Sequence, residues 1–170
     1  MIRGNNSIIL GIDPGIADTG YGVIRSDGQK LSCLAYGSVK TSAKLPLADR
    51  LEIINLKLSS LIKQYKPALM AVEQLFFCNN VKTAIVVGEA RGVVLLTAKQ
   101  NNIPLTEFTP LQVKQAVSAY GKASKLQVQK MVKLLLRLEC LPKPDDAADA
   151  LAAAICAANT FGNTKITNSR

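Results

Sequence analysis

The chain has 170 residues and not one histidine. That excludes serine–histidine and cysteine–histidine nucleophilic catalysis, and with them histidine-ligated zinc. Tryptophan is absent too, and aromatic residues make up only 5%. Carboxylates are scarce: 12 acidic residues face 21 lysines and arginines, a net charge of +9. An excess of that size attracts nucleic acid or another anionic surface without specifying sequence. The four cysteines, Cys33, Cys78, Cys140 and Cys156, form no C-x-x-C pair. Their apolar or small neighbours predict reduced thiols in or near the core of a cytoplasmic protein. No apolar run is long enough to cross a bilayer, since the longest, residues 84–98, carries Glu89 and Arg91. Residues 1–6 lead straight into a strand pattern, so no signal peptide is expected.

What is present is a 48% hydrophobic chain, enough for one domain with a sizeable core. We expect a single domain over residues 1–162, with residues 1–6 and the polar tail 163–170 disordered. Residues 7–12 read as a buried strand closed by Pro14-Gly15, 19–25 as a second strand, and 30–41 as a third after the Asp27-Gly28 turn. Pro46 opens a helix to Tyr65 with Leu51, Ile54, Leu58, Leu61 and Ile62 on one face. Strands follow at 69–73 and 104–108, separated by a helix over 81–100 that is apolar nearly all round. Such a helix is buried on more than one side, either at the core centre or against a second subunit. Helices over 110–119, 124–138 and 145–160 complete the order. The fold class is α/β: hairpin-linked strands run antiparallel, helix-linked ones parallel, giving a mixed five-stranded sheet with helices on both faces.

Four acids stand out against this basic background. Asp13 ends the first strand and Glu73 the fourth. If those strands pair in parallel, both carboxylates emerge at the carboxyl end of the sheet, where open sheets bind ligands. Asp146 and Asp149 are three residues apart on one face of an alanine-rich helix. Carboxylates gathered there would repel one another and some would stay protonated. Two divalent cations remove the repulsion, and all-oxygen ligands favour Mg²⁺ or Mn²⁺. Such a pair can activate a water and stabilise the leaving oxygen of a phosphodiester. Each acid also suits a plainer role: Asp13 as a turn residue, Glu73 as an exposed strand end, Asp145, Asp146 and Asp149 as first-turn charges.

The lysines supply a second pattern. Lys122 and Lys125 sit in a loop and at a helix N-terminus, positions suited to phosphate. Lys130, Lys133 and Arg137 share a stripe that is equally a solvated helix face. Phe76 and Phe77 follow Glu73 and suit either the core or stacking on an unpaired base.

With these residues placed, the chain resembles the RuvC family of Holliday junction resolvases in the RNase H-like superfamily. The runs Ile-Leu-Gly-Ile-Asp-Pro-Gly, Thr-Gly-Tyr-Gly-Val-Ile, Val-Glu-Gln-Leu-Phe, Gly-Glu-Ala-Arg-Gly-Val, Gln-Val-Lys-Gln-Ala-Val and Asp-Ala-Ala-Asp-Ala-Leu-Ala occur in the family's order. The resemblance implies a magnesium-dependent homodimer that nicks two opposing strands of four-way DNA, leaving 5′-phosphate and 3′-hydroxyl ends. It implies catalytic and metal roles for Asp13, Glu73, Asp146 and Asp149. It implies an aromatic near the crossover at Phe76 and activity-linked lysines at Lys114 and Lys125. Partnership with RuvA and RuvB is implied as well. Asp145 is an extra acid with no role assigned. Other readings are an RNase H-like nuclease on other branched or hybrid substrates, a non-catalytic nucleic-acid binding module, or an ATP-binding fragment suggested weakly by the Gly-Ile-Asp-Pro-Gly turn.

Overall fold

The computed structural model describes residues 6–74 and 81–162. Three strands open it: β1 (Ser7–Asp13), β2 (Asp18–Ser26) and β3 (Leu31–Lys40). Then come α1 (Leu47–Tyr65), β4 (Leu69–Glu73), α2 (Val81–Gln100), β5 (Leu105–Phe108), α3 (Pro110–Ser118), α4 (Lys125–Leu135) and α5 (Asp145–Gly162). The sheet order is β3-β2-β1-β4-β5. β2 runs antiparallel to β1 and β3, whereas β1–β4 and β4–β5 are parallel. This is the mixed RNase H-like arrangement expected from hairpin and crossover connections.

Strand alternation sorts the core into two halves. Ile9 of β1 and Leu69 and Ala71 of β4 face α3, α4 and α5. Leu10, Ile12, Met70 and Val72 face α1 and α2. α5 forms the centre of the first half, with residues 150–157 all buried. Alanine makes this possible, because its short side chain lets a helix approach a sheet closely while keeping full helix propensity. In α1 the buried residues are Ile54, Leu58, Leu61 and Ile62, the face that the sequence periodicity marks.

Three expectations need correction. α4 ends at Leu135, three residues before the expected end. Arg137 takes a left-handed conformation, with φ 54°, so it leaves the stripe of Lys130 and Lys133. Cys140 is exposed, while Cys33 is half-buried and Cys156 buried. It sits in the segment that leads to α5, outside both core halves. Asn6 is ordered enough to extend the first hairpin, its N–H donating to the Ser26 carbonyl at 3.1 Å. The tail 163–170, with Phe76, Phe77 and Cys78, lies outside the described residues.

α2 buries Ala90, Val94, Thr97 and Ala98 against the core. Its opposite side is open: Ile85 is 57% and Leu96 53% exposed. A methyl group built at Gly88 or Gly92 would meet nothing within 4 Å. The helix thus lies with one flank at the core and the other uncovered. Among the described residues, no helix is long and apolar enough to cross a membrane.

Candidate active site

Parity along the strands decides where the first two acids point. Asp13 follows Ile9 and Gly11 at steps of two, and Glu73 follows Leu69 and Ala71. Both carboxyls therefore stand on the α5 side of the sheet. The parallel register pairs Ile12 with Val72, so Asp13 and Glu73 leave adjacent strands at the same end. The loop after Asp13 is stapled in place. The Thr19 hydroxyl donates to the Gly15 carbonyl, and the Thr41 hydroxyl donates to the Ile16 carbonyl. Arg50 Nε donates to Thr41 Oγ1 at 2.8 Å.

Two glycines bring the other acids within reach. A methyl group at Gly20 would fall 2.0 Å from the Asp146 carbonyl oxygen. One at Gly11 would fall 2.0 Å from the carbonyl oxygen of Ala150 and 2.8 Å from the backbone nitrogen of Ala154. Only residues without a β-carbon allow the α5 backbone to lie this close to β1 and β2. The first turn of α5 thus carries Asp146 and Asp149 over the ends of the strands.

The electrostatics confirm that the acids sense one another. Burial, then the charges of Glu73, Asp149 and Asp146, push the Asp13 carboxyl up to about 8. Burial, followed by Asp149, pushes Glu73 up to about 7, against the pull of Lys114 and Lys125. Burial also raises Asp149, and Lys125 opposes it. A cleft of about 220 Å³ lies beside them, lined by Glu73, Pro110, Val113, Lys114, Lys125, Val128 and Asp149. A larger cleft of about 550 Å³ lies elsewhere, lined by Arg25, Lys30, Cys33, Arg137 and neighbours, and contains none of the four acids. Size alone would have chosen that one. Glu73 and Asp149, two carboxylates with raised pKa values, mark the smaller cleft instead.

Lys125 forms ion pairs with two acids at this end of α5. Its ammonium is 3.1 Å from Asp149 Oδ2 and 3.5 Å from Asp145 Oδ2. Burial pushes this ammonium down, but the two carboxylates outweigh it and the net shift is upward. Ser124 fixes the backbone there, capping α4 in a reciprocal pair with Gln127. Thr109 and Gln112 cap α3 in the same way and set Lys114 one turn inside. Lys122 is exposed and lies outside the cleft lining. Phe76 falls outside the described residues. Sequence reasoning missed Gln129, a nearly buried polar residue whose Nε2 donates to Asp145 Oδ1 at 2.9 Å. The signal was available: Lys125 and Gln129 are four apart on α4, as Asp145 and Asp149 are on α5. Asp18 Oδ1 is also buried, without a hydrogen-bond partner among the described residues.

The donor chemistry fits a hard divalent cation. The four carboxylates have no sulfur or imidazole among them, and burial makes the ionisation of Asp13, Glu73 and Asp149 costly until positive charge is supplied. Among the described residues, no three of these groups close on one point as tightly as a bound ion requires. Lys125 occupies one oxygen of Asp149.

Comparison with known proteins gives concordant matches. A family model described as crossover junction endodeoxyribonuclease RuvC matches residues 9–157. The protein of that name from Halothermothrix orenii is 54% identical over 154 residues, covering 91% of this chain and 93% of the relative. Among solved structures, T. thermophilus RuvC in complex with Holliday junction substrate superposes with a TM-score of 0.84 at 35% identity, covering 91% of this chain and 94% of that one. The yeast mitochondrial Holliday junction resolvase Ydc2 shares the fold, with a TM-score of 0.63 at 17% identity and coverage of 94% and 79%.

Proposed function

The chain belongs to the RuvC family of crossover junction endodeoxyribonucleases, and from that premise we propose that it resolves four-way DNA junctions by paired nicks centred on Asp13, Glu73, Asp146 and Asp149. The observation that carries the site assignment is the convergence of acids from β1, β4 and α5 beside Lys114 and Lys125, in a chain of net charge +9. Elsewhere on such a surface four crowded carboxylates would only weaken the hold on DNA.

The reaction is in-line attack of water on the scissile phosphorus. The new P–O bond forms as the P–O3′ bond breaks, leaving a 5′-phosphate, and O3′ departs as a hydroxyl. No covalent enzyme intermediate is needed, which accords with the absence of histidine. Two Mg²⁺ ions, or Mn²⁺ in their place, would supply charge neutralisation for the acids and the phosphate. Asp13, the most central acid, would hold both. Glu73 would hold one, and Asp146 and Asp149 the other or both. Lys125 and Lys114 stabilise charge on the phosphate oxygens from the cleft wall. Lys122, exposed on the approach, and Phe76, near the crossover, contact DNA outside the reacting centre.

Paired nicking requires two such centres related by a two-fold axis. The proposal therefore includes a homodimer through the open side of α2, where Ile85, Gly88, Gly92 and Leu96 form one stripe. A cytoplasmic location and contacts with RuvA and RuvB belong to the same proposal. The decisive experiment is nicking of a synthetic mobile four-way junction, with and without Mg²⁺, beside linear duplex and RNA–DNA hybrid. Symmetric Mg²⁺-dependent cuts confined to the junction support the reading. Equal cutting of duplex or hybrid would favour a less selective RNase H-like nuclease.

A further inference from the structure

We propose that Asp145, braced by Gln129, is a positioning residue that holds the Lys125 ammonium over the acid cleft while Asp149 is engaged elsewhere. This rests on the reading of Asp13, Glu73, Asp146 and Asp149 as the nuclease centre.

The geometry is a four-membered ladder between two helices. α4 presents Lys125 and, one turn later, Gln129; α5 presents Asp145 and, one turn later, Asp149. Lys125 bridges both carboxylates, at 3.1 Å from Asp149 and 3.5 Å from Asp145. The two oxygens of Asp145 do different things. Oδ1 accepts from Gln129 Nε2 at 2.9 Å, and Oδ2 faces the ammonium. A carboxylate placed merely to complement a helix N-terminus would need neither contact. Gln129 is only 8% exposed, so its amide needs a fixed partner, and Asp145 provides it.

The consequence concerns timing. Asp149 is a proposed cation ligand, and an oxygen given to a cation no longer holds Lys125 with the same strength. Asp145 is tied from behind by Gln129 and stays put. The ammonium then keeps one anchor and remains within reach of an incoming phosphate, where an untethered lysine chain would sample many rotamers. The Asp145 side chain is 61% exposed and that of Lys125 51%, so the ion pair contributes little to stability. The effect belongs to turnover.

The test uses the full chain at saturating four-way junction and Mg²⁺. Asp145→Asn should lower kcat about 5- to 20-fold, with junction Kd within about two-fold and thermal stability nearly unchanged. Asp145→Glu should recover most of the rate. In a Lys125→Ala background, Asp145→Asn should cost less than about two-fold, because the two residues act as a unit. With Mg²⁺ present and DNA absent, so that Asp149 is engaged, Lys125 in Asp145→Asn should be acetylated by N-hydroxysuccinimidyl acetate about three-fold faster or more than in wild type, read by peptide mass spectrometry. Gln129→Leu, which keeps the carboxylate and removes its brace, should move both readouts the same way. Wild-type turnover and labelling in Asp145→Asn and Gln129→Leu would overturn the proposal. So would losses that multiply fully with Lys125→Ala. If Lys125→Ala and Asp13→Asn themselves nick normally, it is the underlying site assignment that fails.

Discussion

Replacing Asp13 with asparagine should stabilise the metal-free protein while abolishing its nicking. The carboxyl of Asp13 is held at about 8 rather than 3.8, first by burial and then by Glu73, Asp149 and Asp146. The sign follows from proton binding. The unfolded chain releases this proton near pH 4, and the folded chain keeps it to about pH 8. The favourable contribution of the neutral carboxyl is complete below pH 4 and disappears as pH rises through 8. A displacement from 3.8 to about 8 corresponds to roughly 6 kcal/mol at about 1.4 kcal/mol per unit. Water reaching this half-buried group and relaxation of the other acids reduce that to about 2–3 kcal/mol. For a chain of this length the gain is a rise in Tm of about 4–12 °C. Thermal unfolding in EDTA from pH 5 to 9 measures it. Asp13→Asn should exceed wild type slightly at pH 5, by a margin that widens to about pH 8 and then levels off. Part of the slope will persist, because Glu73 titrates at about 7 on its own account. Mg²⁺ should raise the Tm of wild type more than that of the variant. A variant that is less stable at pH 8.5, or a difference that does not change with pH, would refute the electrostatic account of the site.

Gly20→Ala should destabilise by at least about 1–3 kcal/mol by the cost of overpacking, since its methyl would fall 2.0 Å from the Asp146 carbonyl oxygen. Denaturant unfolding reads that loss, and nicking should fall further than the folded fraction because α5 is displaced from Asp13. Leu96→Asp should shift the chain from dimer to monomer in light scattering and remove paired nicking, since it puts a charge on the open α2 stripe. A variant that remains a dimer would move the interface elsewhere. Phe76→Ala should lose more turnover than junction affinity, about 1–3 kcal/mol being the worth of one stacked base; collapse of binding with normal turnover would count against the role.

Much of the fold was legible because its signals are local. The β1 and β4 runs are apolar and end in an acid, and the hairpin turn at Asp27-Gly28 and the prolines at 46 and 110 punctuate the chain where the elements change. That Asp13 and Glu73 leave the sheet at the same end followed from strand direction alone. What resisted was set by contacts between distant segments. The end of α4 depends on Arg137 turning left-handed, which no neighbouring glycine announces. The exposure of Cys140 depends on where the segment before α5 runs. The Gln129–Asp145 bond joins residues 16 apart and needs two helices docked before either partner is recognisable. The close approach that Gly11 and Gly20 permit is recognisable only once the α5 backbone they accommodate is in place.

The position of α5 in the order of synthesis has one more effect. This helix completes the core against β1 and β2, and it delivers half of the acids. A growing chain still on the ribosome holds Asp13 and Glu73 long before translation reaches Asp146 and Asp149. Without the helix those first strands also lack the cover that makes them fold. A chain that stops short of α5 would therefore leave the β1 and β2 core face bare and lack two of the four acids.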